Sequence, residues 1–234
     1  MKKNLDKIKL VSVSGCAHGG TTLMATILGA NKDWHLITTE TCAYTLDKWT
    51  NRSDLIKRLP ENSQRVIEKT PRHVYNLNSI KKDFPQSSFV VMVRNPLDVV
   101  LSIYKRDGNF NNALYQHSSD LTACISVINK QDTVIVEYEN IIEDFDLTVK
   151  NVCNHTGVEF TESMRNFHMY SPSWFEEFLQ QGRNEHLLKR SVQMKTPLFD
   201  GRGRGILELS PKQARLVIQD CEDKYFMLTG KNIS

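Results

Sequence analysis

Four short runs of β-branched and other apolar residues, Ile8 to Ser14, Arg65 to Glu68, Ser88 to Val93 and Thr133 to Glu137, recur along the chain with helix-like stretches between them. Runs that are apolar at nearly every position belong to strands covered on both faces, and a parallel sheet between layers of helices provides that cover. The sequence therefore predicts an α/β fold, a single domain with a central parallel sheet flanked by helices. Candidate helices fall at Thr22 to Ala30 and at about 42–58, 73–83, 96–106, 111–129 and 144–156, with two or three more between 160 and 190. The last helix is the best marked. Ser210 supplies an N-cap, Pro211 the first helical position and Gln213 a capping-box partner, after which Ala214, Val217, Ile218, Cys221, Tyr225 and Leu228 mark one face as far as Gly230. That helix reads as structural, packing the C-terminus onto the sheet.

A length of 234 residues with 40% hydrophobic content suits one full core, and no Pro/Gly/Ser-rich linker divides it, so residues 1–234 are expected to form one domain. The formal net charge of +3 is mildly basic and scattered, which fits an enzyme with an anionic ligand and argues against nucleic acid as a partner. Five cysteines, without a C-x-x-C pair, indicate neither a disulfide framework nor a zinc site, and no metal is expected. The apolar run near the start is too short for a signal-peptide core, and no stretch approaches the ~18 apolar residues of a transmembrane segment. The expected compartment is the cytoplasm.

Between the first run and the first helix lies a loop, Gly15 to Leu23, in which Gly15 and Gly20 have the G-x-x-x-x-G spacing of a nucleotide-binding P-loop. Thr21 stands where the P-loop lysine belongs. Bare backbone at Gly15, Gly19 and Gly20, followed by a helix N-terminus, makes an anion site without a charged side chain, and the hydroxyls of Thr21 and Thr22 add two donors. Without the lysine that reaches the β/γ-phosphates, the loop is poorly suited to hydrolysing ATP or GTP.

A second anion holder is expected after the third run, where the strand ends in Arg94 and Pro96 starts a helix (RNPLDVVLS, 94–102). Ligands of open α/β sheets bind at the carboxyl ends of strands, which puts Arg94 at the ligand edge. Ser102 follows two helical turns on, with its hydroxyl available to the same anion. The plainer alternative is an arginine paired with Asp98 at a helix start.

HGGTTL (18–23) after a first strand, with RNPLDVVLS after a later one, resembles the sulfotransferases that use 3′-phosphoadenosine 5′-phosphosulfate (PAPS). The resemblance spans roughly residues 8–230, weakest over 160–200, and implies the P-loop NTPase-like architecture of that family. It implies that Gly15, His18, Gly19, Gly20, Thr21, Thr22 and Leu23 hold the 5′-phosphosulfate, and that Arg94 and Ser102 hold the 3′-phosphate. Tyr138, in a segment similar to the family's Y-E-D, would lie by the adenine; the alternative is a core tyrosine. Arg202, Gly203 and Arg204, in the run Gly201 to Gly205, resemble the glycine-and-basic loop that closes over the 3′-phosphate, with a solvated turn as the alternative.

The segment EKTPRH (68–73) is similar to the family's E-K-[ST]-P, which implies Glu68 as general base and Lys69 as its positioner or as a neutraliser of sulfonate charge. His73 is a second candidate base, since imidazole titrates near neutrality. His18 departs from the pattern. Many family members carry lysine or arginine there, where it stabilises the bridging oxygen as 3′-phosphoadenosine 5′-phosphate (PAP) leaves, and imidazole is shorter and not always charged.

These residues predict transfer of a sulfuryl group from PAPS to a hydroxyl- or amine-bearing acceptor, whether sugar, lipid, peptide or small metabolite. Two other readings remain open: a P-loop kinase-like nucleotide transferase, against which the absent lysine and magnesium site argue, and a catalytically inactive PAP-binding module. Phe167, Tyr170, Trp174, Phe175 and Phe178 line an acceptor pocket or pack as core; roughly helical spacing favours core.

Overall fold

The computed structural model describes residues 4–45, 52–61, 64–176 and 185–233. Among these, five strands form one sheet: β1 (Lys9–Gly15), β2 (His35–Leu36), β3 (Arg65–Lys69), β4 (Ser88–Val93) and β5 (Thr133–Glu137). Their order is β2-β3-β1-β4-β5 and every pairing is parallel, with Val13 opposite Lys69 on one side and Val90 on the other. The chain leaves β1 toward β3 on one side and returns to β4 on the other. The carboxyl end of β1 is therefore the switch point where α/β folds open a crevice.

The helices are α1 (Thr21–Gly29), α2 (Arg52–Arg58), α3 (Leu77–Asp83), α4 (Pro96–Asp107), α5 (Phe110–Ile125), α6 (Tyr138–Glu143), α7 (Phe145–Thr156), α8 (Glu162–Arg165), α9 (Phe167–Tyr170), α10 (Glu185–Gln193), α11 (Arg204–Glu208) and α12 (Pro211–Thr229), with a 3₁₀ turn at Pro71–Asn76. Side chains alternate across the sheet. Phe89, Val91 and Val93 of β4 join the core layer of α4 and α5, whereas Val90 and Met92 join the layer of α1 and α7. Both faces are buried, which is why the runs read as continuously apolar.

The expected parallel sheet is present and its four expected runs are β1, β3, β4 and β5, but β2 was not expected and several helices shift. Cys42 to Thr45 form a turn and α2 starts only at Arg52; residues 46–51 of the expected 42–58 helix lie outside the described residues. Residues 73–83 split into the 3₁₀ turn and α3 because Pro71 imposes a tight start. The capping box of Ser210 and Gln213 is present, but α12 packs chiefly on α5 and α4 rather than on the sheet itself. None of the described helices is long and apolar enough to cross a membrane.

Candidate active site

The β1–α1 loop is shaped by backbone constraints. Gly15 has φ +119°, and a Cβ there would stand 2.2 Å from the carbonyl oxygen of Met92, so no other residue fits. Cys16 N–H donates to that same carbonyl (2.9 Å), and Ala17 N–H donates to the buried carboxylate of Asp120 (3.0 Å), which also takes the Tyr75 hydroxyl (2.8 Å). Burial raises the Asp120 pKa against these donors. Gly20, at φ +95°, is the N-cap of α1 and offers no side chain to it. The first intrahelical bond runs from Met24 N–H to Gly20 (3.0 Å). The N–H groups of Gly20, Thr21, Thr22 and Leu23 therefore have no partner within the helix, and all four residues line a cavity of about 260 Å³.

The opposite wall comes from β4–α4 and the chain near residue 200. Arg94 lines the cavity, its guanidinium over the Tyr138 ring (4.3 Å to the centroid) and its Nη2 donating to the carbonyl of Gly201 (2.6 Å). Its buried Nε has no partner. The Arg94–Asp98 pair exists as well, at 3.3 Å, and Asp98 has a further task. Its carboxylate, nearly fully buried, accepts N–H groups from Gly203 (3.1 Å) and Gly205 (2.7 Å) and so docks the glycine-and-arginine loop on α4. Gly205 approaches so closely that a Cβ would meet the Leu97 backbone at 2.3 Å.

His18, Ser102 and Arg106 meet between the two walls. His18 Nδ1 lies 2.6 Å from Ser102 Oγ, and Arg106 Nη1 donates to His18 Nε2 (2.9 Å). His18 and Ser102 both line the cavity. Its charged lining is Arg94, Lys189, Arg190 and Arg204, and no carboxylate among the described residues faces it. That is an anion's environment.

Behind this wall sits a buried cluster on β3. Glu68 and Lys69 are both fully buried. Glu68 Oε1 accepts hydroxyls from Thr70 (2.6 Å) and Thr41 (3.0 Å), while Oε2 lies 3.0 Å from His73 Nδ1 but off-line, leaving that oxygen without an aligned donor. The other ring nitrogen, Nε2, accepts Tyr44 N–H (3.2 Å). Burial pushes the Glu68 pKa up, but His73, Thr70 and Thr41 outweigh it and hold the carboxyl below its usual range. Lys69 pairs with Glu40 (2.5 Å) under the rings of Trp174 and Phe175, and its pKa is lowered by burial despite Glu40. Glu40 lies 3.6 Å from Arg190 and thereby links the cluster to the cavity.

The sequence profile of the Sulfotransferase family matches residues 37–162, more than half of the chain. The chain belongs to the sulfotransferase family. The matched span includes Glu68, Arg94, Ser102 and Tyr138 and leaves out the β1–α1 loop. No curated protein matches this sulfotransferase. Among solved structures, mouse sulfotransferase SULT7A1 complexed with PAP superposes with a TM-score of 0.61 at 18% identity, covering 96% of this chain and 85% of that one. Retinol dehydratase in complex with androsterone and PAP gives 0.56 at 12%, covering 92% and 80%. A sulfotransferase from Alicyclobacillus acidocaldarius gives 0.51 at 15%, covering 80% and 94%. At these identities the likeness is one of fold.

Not every expected residue reaches the cavity of this sulfotransferase. Gly15 and Gly19 shape the loop without lining it, and Glu68, Lys69 and His73 lie behind the wall. Arg202 turns away to Asp200 (2.9 Å) and Glu143 (2.8 Å), and Gly203 spends its N–H on Asp98; Arg204 is the loop arginine that faces the cavity. Of the aromatic cluster, Phe167 is buried and lines the cavity, Trp174 and Phe175 are core, Tyr170 is half exposed, and Phe178 lies outside the described residues. Residues not anticipated are Glu40, Arg106, Asp120, Lys189 and Arg190, and Asp98 was anticipated only as a partner of Arg94. The only sequence signal for Arg106 was its position one turn beyond Ser102 on the same helix face.

Proposed function

We propose that this sulfotransferase moves the sulfuryl group of PAPS to the hydroxyl or amine of an acceptor, releasing PAP. One observation carries the reading. A single cavity is lined both by the N-terminus of α1 and by Arg94, Ser102 and Arg204, and among the described residues no carboxylate lines it. Two anion holders across one cavity suit a nucleotide phosphorylated at both its 3′ and 5′ positions. The unpartnered Arg94 Nε and the orphan N–H groups of α1 are donors that such a ligand would satisfy.

Gly20, Thr21, Thr22 and Leu23 would hold the 5′ end, Arg94, Ser102 and Arg204 the 3′-phosphate, and Tyr138 the adenine side. PAPS supplies an activated sulfuryl group on a good leaving group. Glu68 then takes the proton of the acceptor on Oε2, the oxygen without an aligned donor. For this, the acceptor must reach a carboxylate that is closed to solvent in the present state. Lys69 is held under Trp174 and Phe175 and paired with Glu40. Retinol dehydratase, a fold neighbour, binds androsterone, and a small alcohol is the acceptor class this reading favours.

The test is transfer of label from [³⁵S]PAPS to fractionated cell extract and to a panel of alcohols and amines. Labelled product with equimolar PAP is expected. PAP binding with no transfer across the panel would instead make the chain an inactive nucleotide-binding module.

A further inference from the structure

The family resemblance implies a permanent positive charge at position 18, where this chain has histidine. Arg106 lies directly behind that ring. Its Nε and Nη2 are held by the carboxylate of Asp107 (2.5 and 2.6 Å), which fixes the planar fork and leaves Nη1 pointing at His18. A guanidinium can only donate, so His18 Nε2 accepts. A hydrogen on Nε2 would face the guanidinium hydrogen, which places the ring hydrogen of neutral His18 on Nδ1. From there it is donated to Ser102 Oγ, 2.6 Å away. With Oγ accepting from the ring, the serine's own hydrogen is left to point elsewhere, and Ser102 borders the cavity.

We infer that Arg106, His18 and Ser102 form a one-way donor chain that presents the Ser102 hydroxyl hydrogen to the anion in the cavity. Arg106 is a positioning residue: it acts through the tautomer of His18 and supplies at one remove the charge that His18 lacks. The inference rests on the PAPS reading for the identity of the anion, and on the hydrogen-bond geometry alone for the chain itself. Both links, Arg106–His18 and His18–Ser102, run between α4 and the β1–α1 loop and join residues far apart in sequence.

Two measurements test it. Nitrogen-15 chemical shifts of the His18 ring in the ligand-free wild-type protein should show Nδ1 protonated and Nε2 bare, and Arg106→Lys should keep that pattern while Arg106→Met loses it. PAP affinity should weaken about tenfold in Arg106→Met and in Ser102→Ala, and the double variant should be no weaker than either, because the two act in series. A wild-type ring protonated on Nε2, or a double variant weakened by the product of the single effects, overturns the chain. If wild-type protein binds no PAP, the PAPS reading fails, while the ring tautomer still decides whether the chain exists.

Discussion

Replacing Asp98 with alanine is expected to undock the loop that carries Arg204. The side chain is 3% exposed and accepts two backbone N–H groups, from Gly203 and Gly205, besides facing Arg94. Hydrogen bonds to an ionised acceptor are worth about 1.5–3 kcal/mol each. The loop can lift its N–H groups back into water, so the loss falls near the lower sum, about 3 kcal/mol. For a domain of this size that lowers the melting temperature by about 6–12 °C, read by calorimetry. The same change frees Arg94 from its anchor and moves Arg204, so PAP affinity should weaken by at least about tenfold in a titration. Asp98→Asn keeps the shape and one acceptor oxygen, and should show roughly half the thermal loss. A melting temperature within about 1 °C of wild type for Asp98→Ala would refute the view that this carboxylate holds the loop.

Glu68→Gln should reduce turnover about 10²–10⁴-fold with PAP affinity retained, whereas Glu40→Gln, which removes the partner of Lys69, should cost less. The reverse order in single-turnover assays would move the base to Glu40. Glu40 and Glu68 are both held below the ordinary carboxylate value of 4.5: burial raises each, but Lys69 and Arg190 outweigh it at Glu40, and His73, Thr70 and Thr41 at Glu68. The native state therefore binds fewer protons than the unfolded chain, so the stability from these carboxylates is full above their unfolded value and lost as pH falls through the lower folded ones. The melting-temperature gap between wild type and Glu68→Gln should accordingly narrow below about pH 4.5, and kcat should stay flat from about pH 5.5 to 7.5. An acid limb near pH 6.5 would instead point to an imidazole base. Arg204→Ala should weaken PAP binding about tenfold and Arg202→Ala little, because only Arg204 faces the cavity.

What the sequence revealed was local or periodic. The strands of the sheet core, the Gly15–Leu23 turn and the Ser210 cap are written in neighbouring residues, and Arg94 and Ser102 are tied to one strand-to-helix junction. The two-residue β2 was too short to carry a pattern, and α10 combined apolar and basic residues in a stretch with little resemblance to the family. Electrostatic partners were the larger gap. Asp98 reads as an ordinary helix-start acid until Gly203 and Gly205, more than a hundred residues on, are seen to donate to it. Glu40 gains meaning only from Lys69 and Arg190, and Arg106 only from His18. The concern that position 18 lacks charge was legible; its answer lay across the fold.

The central claim is that the cavity between α1 and Arg94 receives a 3′,5′-bisphosphorylated adenosine. Calorimetric titration with PAP in the presence of EDTA, alongside magnesium-ATP, tests it most directly. Metal-independent PAP binding that is lost in Arg94→Ala, with ATP far weaker, is the predicted result. Preference for magnesium-ATP, or PAP binding indifferent to Arg94, would contradict it.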